Sequence, residues 1–523
     1  MSCGKFITEQ LNTVDNNVIA SAQGSTYVDK FLYTAYLGRV KVKVAASNDP
    51  NKVSLECMAG RSNDIVLRVI DAAVGRVDYQ TRPTLRQLSG IPAAVVNISE
   101  NKETFYQIQQ MEALKANMSG DATAFAYHKK YLQKFQHENP QLYRTLERKY
   151  SSARYDPESL RALYVKNCCV DIHFQTSLFL KFLQEKLNRD SINNGKLLLS
   201  LFNVPDMDNA FFSGEYMLYG NGKTMFYPLS AIDVAAHELT HGLVQSTAGL
   251  EYLGHSGALN ESFSDVIGTA FEFWLYKRFN ENTDTTDDLQ GDADWLIGED
   301  IGQTVKYLRN MRDPTQADQP QPKTYRGHHW SDPNNEQRDY GGVHINSGVT
   351  NHCFYQFSQK FGIDTSLPIF YNCLLKLGRN SDFIDFRNTI IECTPEQARP
   401  QAQQCLDLVG LTTNAVSDWR KSPAKNKTPG RHNPQPQPHH PHGLVVPFPN
   451  PQVPYIRGLC CPHCLCLQRN AGPSRRRVFA EISQGASDED YDEGDQSSDA
   501  GDEGDQSSDD ELILPRRSKR LKR

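Results

Sequence analysis

The residues best placed to do chemistry are two histidines and a glutamate in the run Asp233-Val-Ala-Ala-His237-Glu238-Leu-Thr-His241. Ile232, Ala235, Ala236, Leu239 and Leu243 recur at helical spacing, with no proline or glycine before Gly242, so the run is predicted to be a helix. Residues four apart share a helix face, which points His237 and His241 the same way. Two neutral imidazoles so placed are half of a tetrahedral zinc site. Glu238, three residues before His241, can reach a water on such an ion without being a ligand, which is the His-Glu-x-x-His logic of metal-assisted hydrolysis. The competing reading is a partly exposed helix with solvated histidines. A catalytic zinc keeps one position open for water and so takes three protein ligands. The segment Gly257-Ala-Leu-Asn260-Glu261-Ser-Phe-Ser264-Asp265 offers Glu261, on a second apolar-periodic run of Leu259, Phe263, Val266, Ile267 and Ala270.

A third segment, Gly341-Gly-Val-His344-Ile-Asn-Ser-Gly348, follows downstream. In their order and separations the three segments together resemble the thermolysin family of zinc endopeptidases. The resemblance is firm from about Leu163 to Leu411 and weaker back to about residue 30. It implies an α+β fold of two lobes, β-rich at the N-terminal side and α-helical at the C-terminal side, with the zinc site in the cleft between them. By the same resemblance His237, His241 and Glu261 hold one Zn2+, and Glu238 takes a proton from the attacking zinc-bound water and passes it to the leaving amine. His344 and Tyr252 match the oxyanion stabilisers. Asp339 matches the partner that orients His344, and Asp265 and Asn260 match the groups that fix His237 and His241. Asn209, by its side chain, and Ala210, by its carbonyl, match residues that grip a polypeptide substrate along an edge strand. Arg309 matches a residue that binds a substrate carbonyl.

Phe226, Leu229, Val234, Ile297, Ile301 and Leu308 fall where the family lines the pocket for the residue after the cut. All are apolar, so cleavage before Leu, Ile, Phe or Val is expected. Asp233, Glu272, Asp294 and Glu299 match the carboxylates of a structural Ca2+ site, with Asp292 near a further ligand position. Hard oxygens from four segments suit that ion. The plainer alternative is an acidic surface loop, with Asp233 capping the zinc helix alongside Ser230.

The elements that must position these groups read, in outline, as four stretches. Residues 1–29 are an N-terminal extension. Residues 30–251 are the β-rich lobe, which includes the zinc-site helix, with strands expected at Val40–Val44, Val53–Cys57 and Ile65–Ile70; by the resemblance, residues 30–93 are either the β-rich opening of the catalytic unit or a remnant of an inhibitory propeptide. Within it, about 95–160 does not follow the family pattern and reads as a solvated helical insertion rather than a functional lid, with helices at Phe105–Leu114 and Tyr127–Tyr150. After it, Val170–Leu183 reads as an amphipathic helix in which His173 packs rather than ligates. Residues 252–420 are the helical lobe, entered through a Pro/Gln/Asp-rich loop at 313–340 carrying solvated His328 and His329, with helix expected from Asn351. Cys353, Cys373, Cys393 and Cys405 there read as buried thiols.

Residues 421–523 are a tail. Its Pro/His-rich first part cannot bury a core. Cys460-Cys461-Pro-His463-Cys464-Leu-Cys466 could take a metal with a partner chain, carry acyl groups or be incidental. The acidic run 488–511 reads as disordered, with serines suited to phosphorylation, and a protein partner for the tail is open. The basic end from Pro515 reads as a nuclear-import or polyanion signal, or as a counterweight to the acids.

The 523 residues carry a net charge of −6, with 38% apolar and 10% aromatic residues. Such a mild charge gives no field for nucleic acid, and no apolar run approaches the ~20 residues of a membrane span. The first ten residues are not a secretory signal. With that start, the twelve cysteines are expected as free thiols in a reducing compartment, inside the cell or nucleus, or on a protein released by another route, although the resembled family is mostly secreted. Three functions compete: an active zinc endopeptidase, a binding protein that kept the fold and works through its tail, and a nucleic-acid-associated factor. Glu238, both histidines and Glu261 are all present, which favours the first, and no basic face outside the tail supports the third.

Overall fold

Val40, Val42 and Val44 alternate with Lys41 and Lys43, and that period of two becomes strand β2 (Arg39–Ala46), whose valines are buried. It pairs antiparallel with β1 (Tyr27–Tyr33) and with β3 (Lys52–Ser54), and β3 pairs with β6 (Val95–Asn97), closing a four-stranded sheet. The computed structural model describes residues 18–193, 195–280 and 289–415, with the backbone of His442 and Gly443. The single strand expected at 53–57 is two: it breaks at Leu55, and β4 (Glu56–Ala59) joins another sheet. That sheet has six strands in the order β12 (His442–Gly443), β8 (Ala210–Phe212), β9 (Met217–Gly220), β7 (Leu197–Val204), β5 (Ile65–Asp71), β4. The pairs β5–β7 and β7–β9 are parallel and the others antiparallel. A parallel pair needs a crossover, and β5–β7 gets it from α1 (Ile98–Ser119), α2 (Ala122–Glu138), α3 (Pro140–Lys149) and α4 (Pro157–Leu187).

Three features of this lobe depart from the sequence expectation. First, β1 begins at Tyr27, and the helical turn at 18–23 buries Val18 and Ala22 against the sheet, so the lobe reaches back into the stretch assigned to an extension. Second, the 95–160 segment is packed rather than solvated. Phe105, Tyr106, Leu132, Phe135 and Leu146 form a cluster with Tyr33, while Ile108 and Met111 join the main core. The helix expected at 127–150 is broken between Asn139 and Pro140, because proline has no N–H to give the preceding turn and restricts the residue before it.

Third, α4 is buried on nearly every side, not amphipathic. Its polar residues bond inward. Asn167 donates to Asn101 O, Asp171 accepts from the amides of Ala35 and Tyr36, His173 Nε2 stands 2.8 Å from Lys43 O, and Gln175 donates to Ser230 O. A polar side chain paired this way can be buried without a large desolvation penalty.

α5 (Ile232–Ser246) is the last element of the β-rich lobe, and the C-terminal lobe is helical: α6 (Gly254–Asn280), α7 (Asp339–Phe361), α8 (Ile363–Lys376), α9 (Phe383–Cys393) and α10 (Arg399–Leu408), with the short ribbon β10 (Leu296–Ile297) and β11 (Arg309–Asn310). The protein is thus α+β, with a β-rich N-terminal lobe and an α-helical C-terminal lobe. α7 packs on α6 and α6 on α5, with Val349, Phe354, Phe263, Val266 and Leu239 in one continuous core. Helical geometry in α7 resumes at Val343, eight residues before the expected start, after left-handed turns at Tyr340, Gly341 and Gly342.

Cys57, Cys168, Cys169, Cys353, Cys373 and Cys405 are free and buried, and Cys393 is half-buried. Burial pushes the Cys57 and Cys169 thiols up to about 12. His328 and His329 are exposed. Among the described residues no helix is long and apolar enough to cross a membrane. The Cys460–Cys466 cluster, the acidic run and the basic end lie outside the described residues.

Candidate active site

α5 and α6 together gather three residues that could hold a metal ion. His237 and His241, one turn apart on α5, bring their Nε2 atoms to 3.0 Å of one another. From α6, Glu261 Oε2 stands 3.4 Å from His237 Nε2, and Oε1 stands 3.5 Å from His241 Nε2. All three residues are buried, and theirs is the group of His, Cys, Asp or Glu side chains among the described residues whose ligand atoms lie within 4.8 Å of one another. Zinc bonds of about 2.0–2.1 Å put tetrahedral ligand atoms about 3.3 Å apart, so the trio fits that ion. The expected alternative of a partly exposed helix with solvated histidines is excluded by that burial.

The surroundings fix the rings. His237 Nδ1 is 2.7 Å from Asp265 Oδ1, and His241 Nδ1 is 2.9 Å from Asn260 Oδ1 and 3.1 Å from Ser264 Oγ. Each contact turns Nε2 toward the common point. Asp265 is itself held by Arg309 Nη2 at 2.7 Å and by Asn351 Nδ2 at 2.7 Å. Burial works against charge on Glu261, yet His344, His237 and His241 around it hold its carboxyl well below the usual carboxylate range. Burial likewise opposes charge on His237, and Asp265 and Glu261 outweigh it, raising the imidazole to about 10.

Opposite the trio stand Tyr252 and His344. The Tyr252 hydroxyl donates to Glu261 Oε1 and lies 2.9 Å from His344 Nε2. His344 Nδ1 is 2.5 Å from Asp339 Oδ1, while Asp339 Oδ2 accepts from the amides of His344 and Ile345. The left-handed turn at the start of α7 makes this clasp: the chain doubles back through Tyr340–Gly342 and so brings Asp339 under a ring five residues later. A Cβ at Gly342, whose φ is +77°, would meet Ser331 Cβ at 2.4 Å. Gly342→Ala is therefore expected to lower stability by about 1–3 kcal/mol through backbone strain and overlap. It should also lower turnover more than zinc content, because Asp339 and His344 shift while the trio does not. Denaturant midpoints and metal analysis check this.

Glu238 is buried on α5 and its charge is felt by the hydroxyls of Tyr252 and Tyr219. Asn209 Oδ1 accepts from Ala210 N at 3.0 Å, and Ala210 stands on β8 opposite Tyr219 of β9. Arg309 Nε is buried and donates to no described residue. Phe226, Leu229, Val234, Ile297, Ile301 and Leu308 are all buried in one core. Main-chain bonds draw four of them together: Phe226 bridges to Gly302, Tyr227 N donates to Ile301 O, and Leu308 N donates to Ile297 O.

The four carboxylates assigned to calcium share one electrostatic neighbourhood. Burial pushes Glu272 well above the usual range, with Glu299, Asp233 and Asp294 adding to it, and pushes Glu299 up to about 10, with Asp233 adding. Asp233 Oδ1, Glu272 Oε2 and Glu299 Oε2 are buried and accept no hydrogen bond from a described residue. No three of these carboxylates bring their oxygens within 4.8 Å of one another. Asp233 does not cap its helix: the cap is Ala231, and Asp233 Oδ2 accepts from Gly298 N instead. Asp292, the further candidate, is exposed.

Sequence reasoning missed Asn351, Ser264 and Gln321, which donates to His344 O at 2.6 Å. A signal existed for Asn351. It lies seven residues after His344, two helical turns on, and so faces the same way.

A ligand trio at the meeting of these two lobes, with a glutamate beside its first histidine, defines the fold and centre of a His-Glu-x-x-His metallopeptidase. The family model described as thermolysin metallopeptidase, catalytic domain, matches residues 96–245, and the thermolysin metallopeptidase, alpha-helical domain, matches 248–405. The chain belongs to the thermolysin family. Neutral protease NprE of Bacillus pumilus is 36% identical over 233 residues, 43% of this chain and 70% of that protein. Bacillolysin of Bacillus amyloliquefaciens is 37% identical over 233 residues, 43% of this chain and 40% of that protein, so the match spans less than half of the bacillolysin. The solved precursor of protealysin, a metalloproteinase from Serratia proteamaculans, aligns with a TM-score of 0.40 and 28% identity over 47% of this chain and 79% of that one. The catalytic-domain match begins at residue 96 and so runs through the helical segment that the sequence reading set apart.

Proposed function

We propose that the chain is a zinc-dependent endopeptidase that cuts internal peptide bonds before bulky apolar residues. The observation that carries this is the 3.0–3.5 Å spacing of the His237, His241 and Glu261 ligand atoms. Zinc held there supplies an acidified water and a Lewis acid for the scissile carbonyl. The substrate lies extended along β8, gripped by the Asn209 side chain and the Ala210 carbonyl, with Arg309 Nε turned to a substrate carbonyl. The Glu238 carboxylate takes the proton of the attacking water and delivers it to the nitrogen of the leaving amine.

His344 Nε2 and the Tyr252 hydroxyl donate to the oxygen on which negative charge develops. Burial disfavours the His344 cation, but Glu261 and Asp339 raise it to about 9, which supports a proton on Nε2 at neutral pH. The buried apolar side chains from Phe226 to Leu308 support a pocket for Leu, Ile, Phe or Val after the cut.

The test is hydrolysis of casein and of a peptide mixture, read by mass spectrometry. Chelation of zinc should abolish cleavage and zinc should restore it, with most cuts falling before Leu, Ile, Phe and Val. Cuts centred on acidic or basic residues at that position would remove the specificity reading. Cleavage insensitive to chelation would remove the zinc mechanism.

The acidic cluster is read as a structural Ca2+ site. What supports it is three buried carboxylate oxygens without protein donors, on groups that Coulomb repulsion would otherwise force apart.

A further inference from the structure

The C-terminal tail returns to the fold at one described place. β12 pairs antiparallel with β8, His442 opposite Phe212 and Gly443 opposite Phe211, and takes the outer position of the six-stranded sheet. It also packs on α5, the helix of His237, Glu238 and His241. This is the edge to which the proposed function assigns the substrate, and a strand edge has one outward row of donors and acceptors. We propose that the tail segment containing His442–Gly443 is an intramolecular occupant of the substrate strand that competes with peptides for β8. The proposal rests on the endopeptidase reading of that edge.

The sequence around β12 is suited to the role. Pro441 and Pro447 bracket His442-Gly-Leu-Val-Val446. Prolines give no N–H to a ladder, so pairing is confined to the window between them. Within it Leu444, Val445 and Val446 are apolar and strand-favouring, of the type expected beside the cut. No charge stands in the window, although the tail elsewhere is heavily charged. The tether suffices: residues 416–441 at ~3.3 Å each span far more than a domain radius. Being on the same chain, the segment meets β8 at a roughly millimolar effective concentration, so even a weak pairing competes.

The experiment uses the full chain. Phe211 bonds to β9, so it is Phe212 that turns its amide and carbonyl to His442. His442→Pro removes the N–H that faces Phe212, while His442→Ala keeps it. Hydrogen exchange at the amide of Phe212 is expected to quicken tenfold or more in His442→Pro and to stay at the wild-type rate in His442→Ala. KM for a short apolar peptide should fall at least threefold in His442→Pro with kcat unchanged. A synthetic peptide of residues 439–449 should restore both protection and the higher KM. Equal exchange in the wild type and His442→Pro overturns the proposal. Exchange needs no turnover, so altered exchange in a chain that hydrolyses nothing would keep the tail on β8 and remove the peptidase reading instead.

Discussion

Glu238→Gln lowers casein hydrolysis by about 10²–10⁴-fold, the usual contribution of a positioned proton acceptor, and leaves zinc content at the wild-type level. The side chain keeps its size and its buried place on α5, so packing does not change. What it loses is the ability to take a proton, and the attacking water then has no base beside it. Glu238 is not one of the three ligands, so metal analysis should show one zinc per chain in both proteins. Thermal unfolding should move by no more than a degree or two. Equal turnover by wild type and variant would sink the mechanism. Loss of zinc along with activity would show that the residue acts by holding the site rather than by moving a proton.

Adding millimolar Ca2+ to calcium-free, zinc-loaded protein raises the melting temperature by about 3 °C at pH 7.5, as follows for a fold of this size if calcium stands near a hundred times its dissociation constant. Mg2+ does less, since it demands a tighter octahedral shell and gives up its waters reluctantly. The pH dependence has a definite sign. Burial first, and then their acidic neighbours, raise Glu272 well above its ordinary value of 4.5 and Glu299 to about 10. The folded state therefore holds protons that the unfolded state releases near pH 4.5. Without calcium, stability from these groups is full below that pH and is lost as pH rises toward about 10. The gap between calcium-free and calcium-loaded melting curves should widen from pH 5 to pH 8. Glu272→Gln removes an acid that must take up a proton to stay buried, so it should raise calcium-free stability and shrink the calcium increment. Scanning calorimetry across that pH range reads all three, and a melting point indifferent to calcium at every pH would remove the site.

The parts of this molecule that local rules govern were legible in its sequence. His237 and His241 face one way because any helix puts residues four apart together, and Val40, Val42 and Val44 face one core because any strand alternates. Tyr252 and His344 are 92 positions apart, and no periodicity joins them. Their meeting was legible only through the family resemblance. Burial was harder to read. The polar residues of α4 imitate a solvated face, but the amides and carbonyls that satisfy them belong to segments more than fifty residues away in sequence. The same is true of the 95–160 helices, whose Phe105 and Phe135 are both covered by Tyr33 arriving from β1. The early start of α7 was hidden by two glycines, which ordinarily signal a loop and here form its first, left-handed turns.

Two helices run between the zinc trio and the acidic cluster. On α5, Asp233 lies one turn before His237. On α6, Glu272 lies eleven residues after Glu261, about 16 Å at the rise of an α-helix. Each rod thus carries both fastenings, the catalytic ion and, in the calcium reading, a second ion, one turn apart on α5 and about 16 Å apart on α6. A slackened fastening lets both rods slide, and the distance between Glu261 and the histidines is what slides with them. Zinc should consequently leak faster during dialysis from protein stripped of calcium, so that storage without it ages the enzyme from the far end inward.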